Sequence, residues 1–410
     1  MNFFSRYKKI FQLLLFLLTA AIIGLAIYFM FFRQPLLPPT GTEEQLATTT
    51  GQLPPAGTGG TAIIKEDQEG AGIIPTEKES PTETASGGLT KTVAITETPV
   101  SSPTISADGK NPQYYNRDDG KFYRLDDNGN PLLLSDKIFY NVENIYWSPV
   151  KNKAILEYPD GANIIYNFDT EKQITLPKHW ENFNFSPNGD KIILKSIGLD
   201  VENRYLAIAN DDGSGARALE YIGENGDNVY TDWSPNNQIA AMYTEGIDFD
   251  RQEVYFLGLN EENFKSTTVE GRGFNPKWST AGDKLLYSVY STANDLKPKL
   301  WMVEAEGDNI GMNRKSINLE TWASKCVFAD NDTAYCGVPE TMEKGAGMFP
   351  EMAQYTKDNL YKINLKSGQT ILVATPDGNY NMSNLSVSAD GKNLFFSDAN
   401  NGKLQKIQLK

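Results

Sequence analysis

The chain has only two cysteines and one histidine in 410 residues, which leaves several chemistries with little to work with. Zinc draws its ligands chiefly from Cys and His, and this stock cannot fill a tetrahedral set without help from carboxylates. A Ser-His-Asp triad would have to use His179, and there is no G-x-S-x-G elbow to present a serine. Asp126-Asp127-Asn128-Gly129-Asn130 offers alternating oxygens, but Pro131 and Lys137 stand where a calcium loop needs glycine and glutamate. That run reads as a turn between strands. No catalytic residue, metal or cofactor is expected. Basic charge is scarce too: 38 Lys and Arg face 52 Asp and Glu, the formal net charge is −14, and no basic run lies beyond the first ten residues. Nucleic acid, which needs a concentrated positive footprint, is therefore not an expected partner. The apolar fraction of 40% is low even though 20 Tyr, 20 Phe and 6 Trp supply ample bulk. A polar segment must be diluting the average.

One long apolar run is present. Residues 10–32, IFQLLLFLLTAAIIGLAIYFMFF, contain no charge and as a helix would span roughly 30 Å of hydrocarbon. A cleavable signal would have a shorter apolar region followed by a small-x-small site, whereas this run continues through Tyr28, Phe29, Met30, Phe31 and Phe32. A retained single-pass anchor is expected. Arg6, Lys8 and Lys9 before it, against Arg33 after it, favour a cytoplasmic tail of residues 1–9 and place the rest of the chain outside the cytoplasm. Residues 33–110 are rich in Thr, Pro, Gly, Ser and Glu without helical or strand periodicity, and read as a disordered linker. Such a tether reaches roughly 50 Å.

Residues 111–410 repeat. An aromatic or apolar residue, then Ser, then Pro or a small residue, then a turn, then an apolar run recurs at Trp147-Ser148-Pro149, Phe185-Ser186-Pro187, Trp233-Ser234-Pro235, Trp278-Ser279-Thr280 and Val387-Ser388-Ala389. Phe328-Ala329-Asp330 is a degenerate copy. Asn-Gly and Asp-Gly in these turns tolerate positive φ and mark hairpins. The run after each turn is apolar at consecutive positions, as in a strand buried on both faces between neighbouring sheets. Third and fourth strands follow, for example at 163–168 and 173–176, 205–209 and 217–220, and 360–365 and 369–373. Four-stranded units of this kind around a ring make an all-β, β-propeller fold.

The motif W/F-S-P-x-G followed by an apolar run resembles the repeat of TolB-like propellers, a WD-like class of bacterial envelope proteins, and the resemblance covers about 111–410. It implies a propeller; propellers of this kind serve as protein-binding modules and as gating domains of some serine peptidases. Residues 121–135 look like the last two strands of a blade, and the carboxyl end supplies the first three, so joining them gives six blades. Seven is the alternative if 113–117 belongs to a separate incomplete blade.

Loops between second and third strands are long at 197–204, 245–252, 290–298 and above all 338–359, and all such loops emerge on one face of a propeller. That face is the expected binding surface, with Trp180, Asp248, Asp250, Arg251, Met348, Phe349, Met352 and Tyr355 as candidate contacts. Cys326 and Cys336 lie symmetrically about Asn331 in a hairpin and are candidates for a cross-strand disulfide in an oxidising exterior. The expectation is a membrane-anchored, extracytoplasmic binding module for a protein, peptide or glycan of the envelope, not an enzyme. The alternative is a hydrolase or lyase of wall polymers with carboxylates in the central funnel.

Overall fold

The computed structural model describes residues 18–19 and 80–410 apart from 261. The expected membrane helix at 10–32 therefore lies outside the described residues except for two positions, as does most of the expected linker. Among the described residues no helix is long and apolar enough to cross a membrane.

Residues 80–410 form a seven-bladed β-propeller. The blades span 100–133, 144–176, 180–221, 229–269, 272–316, 326–376 and 382–408, numbered here 1 to 7 in chain order. In each, successive strands pair antiparallel from an inner strand outward; the inner strands are Val100–Ile105, Asn144–Trp147, Trp180–Phe185, Val229–Tyr230, Arg272–Trp278, Cys326–Asp330 and Met382–Val387. Seven separate clusters of buried apolar residues lie between the blades, one at each of the seven seams, including that between blade 7 (Phe395, Leu404) and blade 1 (Val100, Tyr114, Leu125). A core at every junction is what a closed ring requires.

The second strands explain why the repeat is apolar at consecutive positions. In blade 2, Ala154 and Leu156 pack toward blade 1 while Ile155 packs toward blade 3, and all three are fully buried. The repeat serine serves the hairpin. The Ser186 hydroxyl donates to Asp190 Oδ1 at 2.9 Å and accepts from the Lys191 amide at 3.0 Å, and Ser279 makes the same pair with Asp283 and Lys284. Serine at this place thus satisfies a turn amide and orients the acid, the mechanism that favours it in turns.

Two expectations are corrected. The ring has seven blades, not six, and residues 121–135 do not complete the carboxyl-terminal blade. Lys121–Leu125 pairs instead with Pro112–Asn116, which in turn pairs with Val100–Ile105, and with Pro131–Leu133 on its other edge, to make a whole blade 1. The strand that closes blade 7 is Val93–Ala94, antiparallel to Leu404–Gln408, and Leu89–Thr90 adds a parallel fifth strand to blade 6. Strands therefore begin inside the stretch whose composition reads as linker. Pro103 and three hydroxyl residues in VSSPTI hide the first strand of blade 1, and a Ser102 at φ 46° bulges it. The legible signal is SADGK at 106–110, identical to the hairpin at 388–392.

Candidate binding face

The loops joining second to third strands, and those joining one blade to the next, share one end of the ring. Three of the long ones are built into a continuous rim. In blade 4 the guanidinium of Arg251 grips Asp248 at 2.7 and 2.9 Å, which holds the Asp248 carboxyl below its usual range. Asp250 reaches the neighbouring loop of blade 5, where it accepts from the Thr292 amide at 2.7 Å and from the Thr292 hydroxyl. That loop turns through Asp295 and Leu296, both at positive φ, and its carbonyls accept from Gly345 and Gly347 of the blade 6 insertion at 2.9 and 2.8 Å. Lys344 adds an ion pair to Asp295 at 3.2 Å. Gly347 has no room for a side chain: a Cβ there would meet Tyr290 Cβ at 2.5 Å and the Leu296 carbonyl at 2.7 Å.

The far end of the insertion is tied to blade 7. The Asn381 amide donates to the carbonyls of Ala353 and Gln354 at 3.1 and 2.5 Å. Beneath it Lys325 Nζ lies 2.6 Å from Asp358 Oδ2 and 2.7 Å from Asn381 Oδ1, and Asp358, fully buried, also accepts from the Met382 amide at 2.6 Å. Burial pushes the Asp358 carboxyl up and the Lys325 ammonium down, each opposed by the other's charge. The pair pins the base of the insertion to the start of blade 6. Above it is a recess of about 330 Å³ lined by Trp322, Lys325, Pro350, Gln354 and Asn381.

The candidate contacts divide into three groups. Phe349, Met352 and Tyr355 are exposed, Tyr355 at 76%, and Met348 is half-buried, so the insertion holds its backbone down and its apolar side chains out. Asp248, Asp250 and Arg251 lie on the same face but are already engaged, Arg251 with Asp248 inside the blade 4 loop and Asp250 with the blade 5 loop. Trp180 departs from the expectation: it is 7% exposed and packs in the core between blades 2 and 3, because it begins the inner strand of blade 3 and does not end a loop. His179 beside it is exposed. Cys326 and Cys336 face each other in register and their sulfurs are bonded. Asp126 caps its own turn, accepting from the Asn128 and Asn130 amides at 2.8 Å each. Lys325, Asp358 and Asn381 are absent from the sequence-based candidates; charge at the entry of an apolar strand, as at Lys325-Cys326-Val327 and Lys357-Asp358-Asn359-Leu360, is the pattern that marks the first two.

No protein-family model matches the chain, and no curated protein matches it. Solved structures do. The β-propeller domain of Myceliophteria thermophila Cps50 (Swd1) superposes with a TM-score of 0.52 at 10% identity, over 78% of this chain and all of that one. A prolyl endopeptidase is similar at 0.50 and 14% identity over 76% of this chain, which spans half of that one. An oligogalacturonate lyase bound to manganese gives 0.48 at 12% identity, over 78% and 93% of the two chains. At 10% identity the likeness to the first of these is one of fold alone, that of a β-propeller.

Proposed function

We propose that the chain is a membrane-anchored, extracytoplasmic binding module that docks an envelope protein or peptide on its loop-bearing face. The observation that carries this reading is the rim. Loops from three consecutive blades are locked to one another by hydrogen bonds, and the last of them presents Phe349, Met352 and Tyr355 to solvent beside a recess. Ordered backbone with exposed Met and aromatic side chains suits adaptable contact at low ordering cost. The buried charges nearby are consumed in the Lys325–Asp358 pair, which suits a scaffold better than an acid–base centre. The anchor reading of residues 10–32 supplies the membrane attachment and the orientation.

The test is a photo-crosslinking residue at Tyr355 in the full chain in living cells, with one at Val150, an exposed turn at the opposite end of the ring, as control. A discrete protein adduct from position 355 is expected, and Phe349→Ala with Met352→Ala should reduce it about tenfold. Equal adducts from both positions, or turnover of wall polymer by the purified chain, would reject the reading.

A further inference from the structure

On the face it turns to blade 3, blade 4 carries a directly paired Tyr243 and Tyr255 from its second and third strands, the first half-buried and the second 39% exposed. The adjacent pair, Thr244 and Val254, lies on the other face of the sheet and is buried.

The two rings stack at 5.9 Å and form one wall of a cavity of about 370 Å³ between blades 3 and 4. The other wall is the outer strand of blade 3, with Tyr221 52% exposed and its ring edge-on to Tyr205 at 5.7 Å. Gly223 fixes Tyr221 from behind: at φ +52°, a Cβ there would stand 2.8 Å from its hydroxyl. Leu257 lies at the floor and Glu220 and Glu245 line the sides. Neither carboxylate has an ion-pair partner among the described residues, and no Lys or Arg lines the cavity. The nearest cation on that strand, Arg217, donates to the Leu259 carbonyl in the adjoining part of the seam. Tyr255 donates to Glu245 at 3.4 Å; its hydroxyl is pushed up by partial desolvation and then by Glu245 and Glu253.

Three tyrosine rings and two carboxylates without ion-pair partners among the described residues surround one opening, so aromatic surface and negative charge meet there. We propose that this seam binds an alkylammonium group, such as the lysine side chain of a basic peptide. Ring faces attract a cation through their quadrupole, the carboxylates add a charge–charge attraction, and a neutral group of the same shape gains neither. The chain's net charge of −14 works in the same direction at longer range.

Calorimetric titration of the full chain in detergent decides it, with tetramethylammonium and N-acetyl-lysinamide as cations and 3,3-dimethylbutanol as the neutral isostere. The cations are expected to bind about tenfold more tightly than the alcohol, and more weakly as salt rises. Glu220→Gln with Glu245→Gln, which keeps shape and removes charge, should weaken the cations about tenfold and leave the alcohol unchanged. Which cation binds better reports the degree of substitution at nitrogen. Saturable binding of neither cation, equal binding of the alcohol, or full cation binding by a double variant with an unaltered melt would overturn the proposal. The wild-type comparison stands even if that variant fails to fold.

Discussion

Asp232 shows how one residue in the repeat can carry a burden the motif does not reveal. It precedes Trp233-Ser234-Pro235, and its backbone carbonyl accepts the indole N–H of Trp278 from blade 5 at 3.0 Å. The carboxyl is pushed up to about 6 by burial, which Lys277 of the next blade opposes, and burial lowers Lys277 in turn. An acid whose folded pKa lies above its unfolded value binds more protons folded than unfolded in between. Its contribution to stability is therefore complete below about pH 4 and lost as pH rises through about 6, up to roughly 3 kcal/mol. Urea denaturation from pH 4 to 7 should show this fall in the wild type, and Asp232→Asn should flatten it and be the more stable protein at pH 7. An identical slope in both would show that the carboxyl is not desolvated. The hairpin serines beside it were legible because each performs the same local task. The meeting of Asp232 with Lys277 was not, since nothing in a single sequence says which residues of neighbouring blades come together.

Single elements show the same division. The second strands announce themselves by apolar runs buried on both faces, and the hairpin of blade 6 by its symmetric cysteines. The bridged hairpin encloses a sequence separation of 10, so on the chain-entropy view the bond contributes about 2 to 3 kcal/mol. Cys326→Ser with Cys336→Ser should lower the melting temperature by a few degrees in calorimetry while reductant leaves the double variant unmoved. A double variant as stable as the wild type would show that strand pairing alone holds the hairpin. The first strand of blade 1 was illegible because its inner-strand position asks little of hydrophobicity: only one edge is paired, one side meets the axis, and Pro103 is tolerated there. The insertion at 338–359 was legible as a long loop but not as a tied one, because its restraints come from Asp295, Leu296 and Asn381 in other blades.

Ring closure belongs to the molecule as a whole. Blade 7 receives three strands from the carboxyl end and its fourth from Val93–Ala94, which pair with Gln405 and Lys406. The seal continues on both sides: the Ile95 amide donates to the Leu404 carbonyl at 2.8 Å, the Leu404 amide to the Thr96 hydroxyl at 3.0 Å, and the Ala85 amide to the Gln408 carbonyl at 2.9 Å. Closing a ring with one strand from the far end of the chain makes every seam depend on that strand, because an opened blade 7 loses support against blade 1 at Phe395, Leu404 and Val100. Deleting residues 80–98 should therefore lower the melting temperature by about 5 °C or more, or broaden the transition as blades separate. Deleting 34–79, which leaves the seal intact, should leave the transition where it is. Scanning calorimetry of the two deletions against the full chain tests the idea directly: an unshifted, equally sharp melt after loss of 80–98 would mean that the seven seams hold the ring without the amino-terminal strand.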